Sequence, residues 1–168
     1  MSATDDLLDK NAAYAEERGP REMAAPPSLK VAVLACMDAR LDPARILGIA
    51  EGEAHVIRNA GGVVTSDALR SLAISQHLLG TREVILMHHT DCGMMTFTDE
   101  EFSDRMDAET GQRPSWVAGS FRDLDGDVRE SIRRIKENPF VPEKSHVRGF
   151  VFDVKTGLLR EVQEDDGS

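Results

Sequence analysis

With 168 residues, 40% of them hydrophobic, the chain suits one globular domain that buries about 70% of the surface its unfolded form exposes. A net charge of −10 argues against nucleic acid or an anionic membrane surface as a general partner, because each requires a cationic footprint. No apolar run nears the roughly 20 residues of a membrane span, and the N-terminus Met1–Asp6 lacks the basic and apolar parts of a signal peptide.

Taken in chain order, Thr4 ahead of Asp5-Asp6-Leu7-Leu8 predicts a capped helix to about Arg18, where Gly19-Pro20 stops it. Its stripe of Leu7, Leu8, Ala12, Tyr14 and Ala15 is thin, so this arm is expected to pack on a second subunit. Pro20, Pro26 and Pro27 mark residues 20–29 as an extended connector. The first strand runs over Lys30–Ala35 and closes at Cys36, and Asp42-Pro43 starts a short helix ending at Gly48. Ala54–Arg58 reads as the second strand. Thr65 or Ser66 caps a helix over Asp67–Leu79, with Leu69, Leu72, Ala73, Gln76 and Leu79 at helical spacing, and Gly80 ends it. The third strand is Glu83–His89. Residues 94–126 are too long for an ordinary connection and are expected to hold short helices or a flap. A helix follows from about Asp127 to Asn138, then a fourth strand at Gly149–Val154, a turn at Lys155-Thr156-Gly157 and a last strand, Leu158–Val162.

Strands alternating with helices imply an α/β fold: a mostly parallel four-stranded sheet, order 2-1-3-4, with an added C-terminal edge strand and helices on both faces. The division expected is a helical arm and connector at 1–27, an α/β domain at 28–162 and an acidic tail at 163–168. The runs Asp99-Glu100-Glu101, Asp123–Asp127 and Glu161–Asp166 read as solvated surface.

In that order the first and third strands are neighbours where the winding reverses, and ligands bind outside the carboxyl ends of strands there. Cys36 leaves one strand at that point, and His89 and Cys92 leave the other. Two sulfurs, an imidazole and a carboxylate are donors that zinc accepts. The alternatives are inert buried thiols, a disulfide or a redox pair. Two distant cysteines make no disulfide framework, so reduced thiols and a cytoplasmic location are expected. His88 and His89 point to opposite faces, and His89 has the two-residue gap to Cys92. His88 is therefore expected to hydrogen-bond on the other face, and His55, His77 and His146 to be structural. Asn59-Ala60-Gly61-Gly62 lacks the Gly-x-Gly-x-x-Gly spacing of a nucleotide loop. Met94, Met95 and Phe97 are open to either pocket or core roles, and Trp116 and Phe121 suit core or interface.

Cys36-x-Asp38-x-Arg40, then Arg58-Asn59-Ala60-Gly61-Gly62, then His89-x-x-Cys92-Gly93 resembles the signature of the β-class carbonic anhydrases, over roughly residues 28–162. The resemblance implies reversible hydration of carbon dioxide to bicarbonate by a zinc-bound hydroxide, with one Zn2+ per chain. Cys36, His89 and Cys92 would be ligands. Asp38 would alternate between the metal, as fourth ligand, and the planar fork of Arg40. Gly61, Gly93 and Met94 would line the substrate pocket, and a homodimer or dimer-based assembly is expected. Met94 stands where many members carry a second glycine, and the long insertions of plant-like members are absent. Related proteins hydrolyse carbonyl sulfide or carbon disulfide, which is the alternative activity; a non-catalytic zinc-binding domain is a second alternative.

Overall fold

The computed structural model describes residues 2–164; Met1 and residues 165–168, most of the expected acidic tail, lie outside them. The sheet comprises β1 (Val31–Cys36), β2 (Ala54–Asn59), β3 (Glu83–His89), β4 (His146–Phe152) and β5 (Leu159–Val162). Its order is β2-β1-β3-β4-β5, parallel except for the antiparallel β5 at one edge. Both the expected order and the added edge strand are present. β4 begins at His146, three residues earlier than expected, and ends at Phe152, while β5 begins one residue later.

Alternation of side chains along β1 divides the interior in two. Ala32 and Leu34 join Leu72 of α3 (Ser66–Leu79) and Val128, Ile132 and Ile135 of α5 (Leu124–Glu137) on one face. Val33 and Ala35 join Met87 and Leu41 on the other, where Ile46 and Leu47 of α2 (Pro43–Leu47) pack against them. Helices therefore cover both faces. Phe121 belongs to the second core, whereas Trp116 stays 60% exposed.

Helix ends show where acidic side chains are used. Asp42 caps α2, Thr65 caps α3 and Asp123 caps α5. α5 thus starts one turn before the expected Asp127, whose carboxylate bonds His88 instead. The stretch after β3 folds into a short 3-10 turn, Gly93–Met95, and a helix, α4 (Asp99–Thr110). Thr98 and Glu101 close a capping box there, so Asp99-Glu100-Glu101 forms the first turn of α4. Carboxylates at that end complement the helix dipole and its free N–H groups.

The N-terminal helix, α1 (Ala3–Arg18), is capped by Ser2 rather than Thr4, with Asp5 returning the bond to the Ser2 backbone. It buries no residue. Tyr14 and Arg18 of α1 and Arg21 of the connector all donate to Glu51. The Arg18 guanidinium holds the Glu51 carboxyl down to about 2. Relative to an ordinary glutamate, this contact is fully present above the unfolded pKa and is lost as the pH falls through the folded one.

Gly62 brings the chain after β2 against the end of β1. Its φ is +68°, and a Cβ there would lie 2.8 Å from the Cys36 nitrogen, 3.0 Å from the Ala35 carbonyl carbon and 3.2 Å from the Met87 oxygen. All three are backbone atoms of the central strands and cannot turn aside. Gly62→Ala is expected to destabilise the protein by about 3 kcal/mol, combining left-handed strain with overpacking. A urea midpoint like that of the unmodified protein would refute this reading.

Candidate metal centre

β1 and β3 pair in parallel with Ala35 opposite Met87, so the strands finish side by side. Cys36 is the last residue of β1 and His89 the last of β3, and a tight turn brings Cys92 back toward both. Asp91 makes that turn at φ +56°, in the left-handed region. β4 steadies it: the Thr90 N–H donates to the Phe152 carbonyl at 2.9 Å, and the Val154 N–H donates to Thr90 Oγ1 at 3.1 Å.

The loop after Cys36 is held by an arginine from β2. Arg58 donates through Nε and Nη2 to the Cys36 carbonyl at 3.1 and 2.9 Å, and through Nη2 to the carbonyls of Asp38 and Leu41 at 2.8 and 3.0 Å. The Met37 N–H donates to the Asn59 carbonyl at 2.8 Å. The Arg58-to-Gly62 run thus shapes this loop with a guanidinium at one end and a bare backbone at the other. Sequence pattern alone gives Arg58 no task; the signal it offers is a cation near the end of a strand beside a crevice.

The donor atoms of Cys36, His89 and Cys92 all lie within 4.8 Å of one another, and all three residues are buried. Both cysteines are free thiols. His89 Nδ1–H donates to the Thr90 carbonyl at 2.9 Å, which fixes the tautomer and leaves the lone pair on Nε2. Nε2 is buried and has no hydrogen-bond partner among the described residues. An unpartnered buried nitrogen beside two thiols is unfavourable unless a cation completes it, and this donor set suits zinc.

The thiols behave as a pair. The neighbouring Cys92 thiol lowers the Cys36 pKa, against the opposing effect of burial. Cys36 and burial in turn push that of Cys92 up. One proton leaves readily and the second is retained, unless a positive ion stabilises two thiolates together.

Asp38 lies beside the triad but is not one of the three converging donors. Arg40 takes its carboxylate in a fork, Nε to Oδ1 at 3.0 Å and Nη2 to Oδ2 at 2.7 Å, and the Arg40 N–H adds a bond of 2.9 Å. The arginine side chain first, then that N–H, holds the Asp38 carboxyl well below the usual carboxylate range. Its Oδ2 is 3.7 Å from His89 Nε2. Of the two positions expected for Asp38, this is the one on Arg40. Arg40 also donates through Nη1 to Asp91 Oδ2 at 2.7 Å and through Nη2 to the Asp91 carbonyl at 2.9 Å. Asp91 had no role in the sequence reading.

Met94 belongs to the same buried cluster as both cysteines, Val63 and Phe121, and Met95 and Phe97 pack against that cluster. Gly61, at φ +82°, leaves room for Met94: a Cβ there would approach Met94 Cγ to 3.0 Å. Gly93 has open space around its Cα. His88 turns away from the triad toward α5, where Nε2 meets Asp127 Oδ2 at 2.6 Å, and its ring lies 5.4 Å, centroid to centroid, from that of Phe121 in the second core. His55 bonds Ser75, and His77 meets the Phe140 carbonyl; neither joins the triad. A cavity of about 570 Å3 between α3, α5 and the 115–120 segment contains none of the three donors.

The chain is similar to known proteins in sequence and fold. The carbonic anhydrase family profile matches residues 31–125. The β-carbonic anhydrase 1 of Mycobacterium tuberculosis is 61% identical over 163 residues, covering 96% of this chain and 99% of that protein. A carbon disulfide hydrolase of Acidithiobacillus thiooxidans is 32% identical, covering 83% of this chain and 80% of that one. Among solved structures, the carbonic anhydrase of Streptococcus mutans superposes with a TM-score of 0.92 at 41% identity, covering 97% of this chain and 99% of that chain.

Proposed function

The chain belongs to the β-carbonic anhydrase family, and we propose that it catalyses the zinc-dependent reversible hydration of carbon dioxide to bicarbonate and a proton. The observation that carries this reading is the convergence of Cys36, His89 and Cys92 on one buried point, with His89 Nε2 unpartnered. Those three residues would hold one Zn2+ per chain. Bound zinc supplies Lewis acidity, the means of making a nucleophile from water near neutral pH.

The protein's own groups do the rest. Arg40 keeps Asp38 ionised and off the triad, which leaves that side of the site for water and substrate. Asp38 accepts a hydrogen bond from the reacting water and turns the oxygen lone pair toward the substrate carbon. The carbon–oxygen bond forms, bicarbonate departs and the proton passes to buffer. Met94 and Phe121 beside Gly61 give an apolar wall suited to a linear molecule without a dipole, and Gly93 borders the same pocket.

The 32%-identical relatives named carbon disulfide hydrolase support a second reading, hydrolysis of carbon disulfide or carbonyl sulfide on the same residues. The 61% identity to a β-carbonic anhydrase favours hydration. Parallel assays with each gas separate the two: sulfide release without hydration would reverse the order. A zinc domain without turnover would need Asp38 on the metal, and the Asp38–Arg40 fork opposes that.

We infer further that residues 1–27 form an arm and 28–162 the catalytic unit, and that two copies associate through the arm. Leu7, Leu8 and Tyr14 of α1 are exposed, which supports this. Among the described residues no helix is long and apolar enough to cross a membrane. Two free thiols suit a reducing cytoplasm, which cell fractionation checks.

Cys36→Ser, His89→Ala and Cys92→Ser are each expected to lose zinc by elemental analysis; full zinc content in any of them would remove that residue from the ligand set. Asp38→Ala should keep zinc and lose about 10²-fold or more in stopped-flow hydration, the range for a group that orients proton transfer. Unchanged turnover would refute the role given to Asp38. Introducing charge with Leu7→Glu and Leu8→Glu should shift the sedimenting species from dimer to monomer, and an unshifted species would exclude the arm from assembly.

A further inference from the structure

We propose that Asp91 is a positioning residue for the Asp38–Arg40 pair: its carboxylate and its carbonyl hold the Arg40 guanidinium between the loops that follow β1 and β3, keeping the fork aimed at Asp38. The inference rests on the reading above, in which Asp38 on Arg40 leaves the metal corner open to small molecules.

The Arg40 guanidinium has five N–H groups, and four of them are engaged. Two go to the Asp38 carboxylate and two to Asp91, one to Oδ2 and one to the main-chain oxygen. Nη2 serves both residues, with one hydrogen on Asp38 Oδ2 and the other on the Asp91 carbonyl. The plane of the fork is therefore set from two sides. Asp38 is two residues from Arg40 along the chain and Asp91 is 51, so the contact also ties the Cys36 loop to the Cys92 loop.

Stability is a poor explanation for this contact. The Arg40 and Asp91 side chains are 46% and 78% exposed, and pairs so exposed contribute little to folding. Orientation is a better one. An arginine side chain carries substantial rotamer freedom. Anchored on one face only, Arg40 would spend part of its time in water and release Asp38 toward the triad. Asp91 removes that freedom before Asp38 arrives. Its backbone supports the same view. At φ +56° glycine meets no steric penalty, whereas aspartate does. The aspartate side chain nonetheless makes one of the shortest bonds of the cluster. Asn also tolerates this region, so a neutral isostere can occupy the turn without altering its path.

The test uses the full-length protein with cobalt replacing zinc and reads azide binding from the cobalt absorption band at one fixed pH near neutrality. Azide reaches the metal only when Asp38 is held away from it. Asp91→Gly keeps the turn and removes the carboxylate. It is expected to bind cobalt fully and azide about fivefold more weakly, the weight of one exposed charge-assisted contact. Asp91→Asn, which keeps an oxygen for Nη1, should recover most of that loss. Arg40→Ala, measured in parallel, should weaken azide at least as much. Parental azide affinity in Asp91→Gly with the Arg40→Ala effect intact would overturn the role of Asp91 alone. Parental affinity in Arg40→Ala would overturn the gate itself, and the proposal with it. Loss of cobalt from Asp91→Gly would make Asp91 a structural part of the ligand loop and would also overturn the proposal.

Discussion

The parallel pairing of β1 with β3 is the constraint on which the site depends. It sets the carboxyl ends of the two strands level, and residues from three distant stretches of chain are then assembled by short loops. Neither loop could hold its shape alone. The first needs Arg58 from β2 to occupy its carbonyls, and the second needs β4 to engage Thr90. Four strands thus contribute to placing three donor atoms, which keeps the donors within reach of one ion without a flexible search.

The chemistry of the site follows from separating two kinds of anion. The sulfurs and the imidazole are buried, where charge is stable only beside an opposite charge. Asp38 and Asp91 sit at the rim, satisfied by a guanidinium that never loses its proton. A cation below and an arginine above would therefore divide the negative charge between them. Other carboxylates are used differently: Asp99, Glu100 and Glu101 stand in the first turn of α4, and Asp125 and Asp127 in that of α5.

Sheet order, both cysteines and the choice of His89 over His88 were legible because each follows from a period: alternation along a strand, winding of a parallel sheet, and a two-residue gap in a loop. Asp38 and Arg40 were legible as a pair because they are neighbours in sequence. Helix starts were less so. Ser2 and Thr4 are both competent caps, and the extended backbone at Ser2 together with the bond Asp5 returns to it selects Ser2. Asp127 resembled a helix start but serves a histidine 39 residues away. Arg58 and Asp91 act through contacts spanning 17 to 51 residues. Contacts of that kind leave no local pattern, so their roles emerge only when the strands are brought together.

The attachment of α1 carries a consequence for how the molecule responds to its medium. Among the described residues, the side-chain hydrogen bonds from α1 to the strand-bearing body all end on the single carboxylate of Glu51. Mobile ions screen such an exposed contact, while the apolar contacts of the sheet are indifferent to them. Brine would therefore loosen the grip of the leading helix on its own body while leaving the sheet intact.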